Sequence, residues 1–282
     1  MPVAIPDVPP AVLCLSAGDA TAGGGLPSDI LTLASMGCHP LPVQTAIVVR
    51  DTRGIDECVA LDPEMLVAQV RTVLEDIPVQ AFKFGFCGSV ENVAAAAEIL
   101  SDYPDIPLVV EPALYTGIEH GAEDDLVAAM AELILPQTTL LVASRHEVMR
   151  LAGFDVEEDA EAGLSPEEAV ERLLELGVEY ILLTGGGERG PQVVNLLISE
   201  HGVVRTDAWP RLSGRYLGAG ATIATAAAAA LAHGMAMPEA VREAQEFAQQ
   251  ALRHAYLPGM GRAIPDRFFW ARGKGEGSEG HE

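Results

Sequence analysis

The chain has 282 residues, enough for one large α/β domain or two small ones, and an apolar share of 49% supplies a full core. Lysine and arginine number 17 against 41 aspartates and glutamates, a formal charge of −24. Such a surface repels nucleic acid and anionic membranes, so neither is expected as a partner; the acidity reads as adaptation to a salty medium that screens it.

In chain order, residues 1–10 are proline-rich and lack a basic n-region, so they read as an extension rather than a signal peptide. Short apolar runs at 12–16, 43–49, 81–85, 108–110, 139–143 and 180–184 read as buried strands. Between them lie helical patterns at 63–76 and 89–100. A third opens on the capping box Ser165-Pro166-Glu167-Glu168 and stops at Gly177. Strand–helix alternation with near-continuous apolar strands predicts a mostly parallel sheet covered by helices on both faces. Runs at 193–197 and 203–206 predict a late hairpin and an antiparallel edge. Residues 238–256 predict a last amphipathic helix. The glycine- and charge-rich end predicts a disordered tail. The expected organisation is thus a single domain over 11–271, an extension over 1–10 and a tail over 272–282. Cys14, Cys38, Cys58 and Cys87 show no metal spacing and read as reduced thiols of a cytoplasmic protein. No apolar run is long enough to span a membrane. His146, His201 and His233 are dispersed and read as surface or packing residues. The acidic run 155–161 reads as a solvated loop.

In a parallel sheet of this kind the ligand sits at the carboxyl ends of the strands. The segment that matters most is Gly218-Ala219-Gly220-Ala221 before the alanine-rich run to Ala230. Unpaired N–H groups at an uncapped helix start, with the helix dipole behind them, make an anion site. Phosphoryl transfer would use such a site together with a base for the attacking hydroxyl. Ala221, at the point where that base belongs, can take no proton. The first loop, from Ser16 to Asp29, contains Gly18-Asp19 and the triple glycine Gly23-Gly24-Gly25. It allows close approach to a ligand, or is a tight turn capped by Asp29.

Gly18-Asp19, Gly23, Gly25 and Asp29, then Thr45-Ala46, Asp51-Thr52-Arg53-Gly54 and Lys83-Phe84-Gly85, together resemble the hydroxymethylpyrimidine/phosphomethylpyrimidine kinases of thiamine biosynthesis, which are ribokinase-like. The resemblance continues through Thr184-Gly185-Gly186-Gly187 and Gly218-Ala219-Gly220. It ends with Gly259-x-Gly261, Pro265 and Phe268-Phe269-Trp270. It implies a single ribokinase-like α/β domain. The implied activity is ATP- and Mg²⁺-dependent phosphorylation of an aminopyrimidine alcohol or its monophosphate, by a homodimer. On that resemblance Asp19, Gly25, Arg50 and Phe86 face the pyrimidine. Gly218, Ala219, Gly220 and Ala221 form the catalytic loop. Thr184 and Gly186 face the nucleotide, and Glu111 and Glu147 the metal.

Departures from the family pattern fall on ligand-facing loops. Ala221 stands for the family's cysteine (aspartate in ribokinase-like relatives), and Thr184 for a lysine. Arg50 replaces a glutamine and Phe86 a methionine, and of the Thr-Pro-Asn-x-x-Glu loop only Glu147 remains. Two other readings therefore stand beside the kinase. One is an impaired homologue acting as a pyrimidine- or nucleotide-binding regulator. The other is a kinase or other transferase acting on a different small ring alcohol, favoured by Arg50 and Phe86 in the ring pocket; a surviving kinase would instead use Asp19 as a substitute base and Arg50 or Arg215 as substitute cations. Lys83 either packs and pairs a carboxylate or binds ligand.

Overall fold

The computed structural model describes residues 8–114, 122–154, 165–187 and 189–272. The acidic run 155–161, residues 1–7 of the extension and residues 273–282 of the tail lie outside the described residues.

Nine strands form one sheet in the order β3-β2-β1-β4-β5-β6-β7-β8-β9. They are β1 (Ala11–Asp19), β2 (His39–Arg50), β3 (Ile55–Ala60), β4 (Ala81–Phe84), β5 (Leu108–Val110), β6 (Leu140–Ser144), β7 (Tyr180–Thr184), β8 (Gln192–Ser199) and β9 (Gly202–Pro210). The pairs from β2 through β1 to β7 are parallel, and β3, β8 and β9 are antiparallel additions at the two edges. The predicted hairpin is thus β8–β9. Strand β3 was not foreseen: half of its residues are exposed, so it carries no apolar run.

Helices α1 (Gly25–Ser35), α7 (Ala219–Ala232) and α8 (Met237–Arg253) pack on one face of the sheet. On the other lie α2 (Pro63–Leu74), α3 (Val90–Ser101), α4 (Ala122–Ala129), α5 (Arg145–Leu151) and α6 (Pro166–Glu175). A π-helical turn, Met130–Ile134, and a 3₁₀ turn, Leu135–Gln137, lead into β6. Alanine explains α7: it is the best helix former, and its small side chain lets the helix press between the sheet and its neighbours. Residues Ala224 and Ala226 through Ala229 are all at 0% exposure.

The strand order reverses at β1, whose two neighbours are β2 and β4. The crevice beyond the carboxyl ends of β1 and β4 is therefore the topological switch point, where doubly wound sheets bind ligands.

Candidate active site

Strand β1 ends on Asp19, and the chain turns back through Ala22 at φ 55° and Gly24, the N-cap of α1. Gly25 has φ +59°, and a β-carbon there would collide with the Ala17 carbonyl. Only glycine lets the helix start this close to the strand. Asp29 is not the cap of a tight turn. It lies inside α1 at 0% exposure, because the helix begins four residues earlier on an uncapped glycine.

Asp19 itself is 3% exposed and heavily engaged. Its Oδ1 accepts from the Thr21 amide at 2.8 Å and the Thr21 hydroxyl at 2.6 Å, and its Oδ2 from the Gly24 amide at 3.2 Å. Arg50, at the end of β2, adds an ion pair to Oδ2 at 3.7 Å. This pairing opposes Asp19 as a substitute base, because its lone pairs are occupied by the loop it organises. The Arg50 side chain is 1% exposed, and its Nη2 has no hydrogen-bond partner. Phe86, just past β4, is buried at 5%, and its carbonyl accepts from the Thr45 hydroxyl at 2.6 Å.

Beneath these groups runs a buried charge network. Lys83 on β4 lies 3.3 Å from Asp29 Oδ2 and 3.7 Å from Glu111 Oε2. Thr225 on α7 donates to Asp29 Oδ1 at 2.6 Å. Burial works to lower the Lys83 pKa, but Asp29 and Glu111 outweigh it and hold the ammonium above its usual value. Burial raises the Asp29 carboxyl, against Lys83 and the Thr225 hydroxyl. Burial also pushes Glu111 up to about 7, with Lys83 opposing and Glu147 adding to the rise. Lys83 therefore pairs carboxylates, as the plainer of its two sequence readings expected.

Glu147 Oε2 closes a capping box, accepting from the Ser144 amide and hydroxyl, both at 2.7 Å. Glu111 and Glu147 suit Mg²⁺ in donor chemistry, since that ion takes one or two carboxylates and completes its shell with water and phosphate. Among the described residues no group of three or more potential ligands forms a dedicated cage.

The uncapped helix start that the glycine segment predicts is present before α7. Gly218 is the N-cap of α7 at φ +77°, and no side chain caps the helix. A β-carbon at Gly218 would strike the Gly23 carbonyl, so the first loop and the start of α7 touch backbone to backbone. A β-carbon at Gly220 would stand 3.5 Å from Glu111 Oε1. Ala221 is 4% exposed in the first turn of the helix.

A cavity of about 330 Å³ brings Thr184 and Gly186 together with Ala219 and Gly220, while Asp19, Gly25, Arg50, Phe86, Glu111 and Glu147 do not line it. Thr184 and Gly186, after β7, line one part; Ala219 and Gly220 line another; Trp209 and Tyr216 add aromatic surface. Its size lies in the range of small-molecule sites. Arg211 also lines it and braces the glycine loop, donating to the carbonyls of Gly186 at 2.9 Å, Gly190 at 2.7 Å and Gln192 at 3.0 Å.

The terminal strap ties these loops together. The Gly261 amide donates to the Thr52 hydroxyl at 2.9 Å, and a β-carbon at Gly261 would meet the Thr52 backbone. The Leu217 amide donates to the Ala263 carbonyl at 2.9 Å. The strap ends on Arg267, 2% exposed, which reading the sequence missed. The only local signal was an arginine between Pro265-Asp266 and an aromatic run.

The family profile described as "Phosphomethylpyrimidine kinase" matches residues 19–266. The "Hydroxymethylpyrimidine/phosphomethylpyrimidine kinase" of Streptomyces coelicolor is 34% identical over 278 residues, covering 95% of this chain and 98% of that protein. The protein of the same name from Mycobacterium tuberculosis is 34% identical over 269 residues, covering 93% and 95%. Among solved structures, the Staphylococcus aureus pyridoxal kinase in complex with AMP-PCP and pyridoxal superposes with a TM-score of 0.81 at 23% identity, covering 94% and 96%. At that identity the likeness shows the ribokinase-like fold alone.

Proposed function

This chain belongs to the phosphomethylpyrimidine kinase family, and we propose that it transfers the γ-phosphoryl group of ATP to the hydroxymethyl oxygen of hydroxymethylpyrimidine, or to the phosphate of its monophosphate. The observation that carries this reading is the continuous cavity from Thr184 and Gly186 to Ala219 and Gly220. It reaches the uncapped start of α7 at Ala219 and Gly220. The AMP-PCP complex of the Staphylococcus aureus pyridoxal kinase supports ATP as the donor.

In this reading the N–H groups of Gly218, Ala219, Gly220 and Ala221 hold the transferring phosphoryl group at the positive end of α7. Glu111 and Glu147 hold Mg²⁺, which neutralises charge on the phosphates. Asp19 keeps Gly24 and Thr21 in place, Gly25 permits the loop's close approach, and Arg50 and Phe86 border the ring. Positioning and electrostatics carry most phosphoryl transfer, so the absence of a base at Ala221 slows the reaction without abolishing it. A homodimer is the assembly proposed with it. The exposed apolar row of Ile47, Val49 and Val59 on the β2–β3 edge is a surface a second copy would cover. Among the described residues no helix is long and apolar enough to cross a membrane, and a cytoplasmic location is proposed. The relatives named above are kinases and lend no support to a regulatory role.

Calorimetric titration with hydroxymethylpyrimidine, with and without Mg-ATP, tests the proposal. Binding of both, each tightening the other or leaving it unchanged, is the expected result. Failure of both to bind would defeat it.

The unpartnered Arg50 Nη2 favours a second reading for the acceptor, a different ring alcohol. Arginine only donates, whereas an aminopyrimidine edge offers donors as well as acceptors. An Arg50→Gln change restores an acceptor. It is expected to raise kcat/KM for the aminopyrimidine by about tenfold relative to its 4-oxo analogue, the discrimination typical of one well-placed polar pair. Steady-state assays on the two rings read that ratio directly.

A further inference from the structure

We propose that Arg267 is a positioning residue for phosphoryl transfer, fixing the first loop against the first turn of α7 and supplying the permanent positive charge beside the anion bound there. The proposal rests on the kinase reading and adds a residue to it.

The guanidinium reaches both sides of the seam. Its Nη1 donates to the Ala22 carbonyl at 3.1 Å and its Nη2 to the Gly23 carbonyl at 2.9 Å. The same Nη2 donates to the Thr222 hydroxyl at 3.0 Å. Thr222 in turn donates to the Gly218 carbonyl at 2.7 Å, so Arg267, Thr222 and Gly218 form a chain of hydrogen bonds into the N-cap of α7. A β-carbon at Gly218 would stand 3.2 Å from Nη2, which places the guanidinium beside the anion loop itself.

The charge is not accounted for by the protein. Arg267 is 2% exposed, and its Nε is buried with no hydrogen-bond partner. Among the described residues no carboxylate comes within 4.0 Å of it; its acidic neighbours Asp29 and Asp19 act only at longer range. Burial lowers its pKa to about 10, which leaves it protonated at neutral pH. Removing a guanidinium from water is costly, and carbonyl and hydroxyl acceptors offset only part of that. A phosphoryl group at the start of α7 supplies the missing negative charge. The residue also answers a question the sequence raised. Thr184 stands where the family's lysine would, and Arg267 brings a cation to the phosphoryl end of the site, apart from Arg211 at the glycine loop.

The test compares wild type with Arg267→Ala and Arg267→Lys. It uses coupled ADP release for kcat and KM and calorimetry for AMP-PCP, which carries a γ-phosphoryl group, and for adenosine, which has no phosphate. We expect Arg267→Ala to lose kcat by roughly 10²–10³-fold, the effect typical of removing one transition-state donor. AMP-PCP affinity should fall, adenosine affinity should stay within about twofold, and added guanidinium ion should restore part of kcat. Arg267→Lys keeps the charge but not the planar fork and should fall between the two. It decides the matter if Arg267→Ala does not fold. Equal loss of adenosine and AMP-PCP binding would make the residue merely structural and overturn the proposal, as would wild-type kcat in either variant. If wild type turns over while the variants match it, only this proposal fails; if wild type binds neither ATP nor ADP, the kinase reading fails with it.

Discussion

Replacing Lys83 by methionine is expected to destabilise the protein by about 3–5 kcal/mol at neutral pH, lowering its unfolding midpoint by roughly 6–20 °C. The reason is the asymmetry of buried pairs. Lys83 faces two carboxylates, Asp29 at 3.3 Å and Glu111 at 3.7 Å, and both lose that ammonium partner. Methionine keeps the apolar stem, so the loss reports the charge rather than a cavity. The pH dependence separates this from a packing defect. Without Lys83 both carboxyls are buried with less to hold them ionised, so their folded pKa values rise above the unfolded ones. Stability from such groups is full below the unfolded pKa and lost as pH rises through the folded pKa. The Lys83→Met deficit should therefore be small in acid and grow toward neutrality. Wild type already shows the same sign at Glu111, raised from 4.5 to about 7. Thermal melts between those pH values should show stability falling as pH rises, and Glu111→Gln should flatten that slope. A deficit independent of pH would refute the electrostatic account of Lys83.

The second large effect is a gain. Ala221→Cys is expected to raise kcat by roughly 10²–10⁴-fold, the usual worth of a general base. Ala221 sits in the first turn of α7, two residues after the helix begins. A thiol there is drawn toward thiolate by the helix N-terminus. It would face the attacking oxygen held at the anion loop. Asp19 offers no such capacity, because three hydrogen bonds and Arg50 occupy its oxygens. An unchanged kcat in pre-steady-state assays would show that the proton leaves by another route, or that chemistry does not limit turnover.

The parallel sheet was legible because its strands are buried on both faces and so appear as unbroken apolar runs, as at Leu108–Val110. The half-exposed edge strand β3 left no such run. Asp29 was ambiguous for a different reason. An acidic residue after glycines has the same local signature whether it caps a helix or lies within one, and its burial against Thr225 and Lys83 depends on residues 196 and 54 positions away. The uncapped glycine start of α7 could be found from glycine spacing, because it depends on local backbone rather than on distant side chains. Arg267 could not, because its meaning comes from Gly23, 244 positions earlier. The cavity joining Thr184 to Gly220 likewise exists only once β7 and α7 are brought together.

The central claim is that the glycine loop at the start of α7 transfers phosphate to a ring alcohol without a base at Ala221. Incubating the protein with Mg-ATP and hydroxymethylpyrimidine, and following the products by phosphorus NMR, tests this most directly. The account predicts slow appearance of a phosphate monoester matched by ADP, lost in Gly218→Val. ATP consumption without ester, or ester formed equally by Gly218→Val, would contradict it.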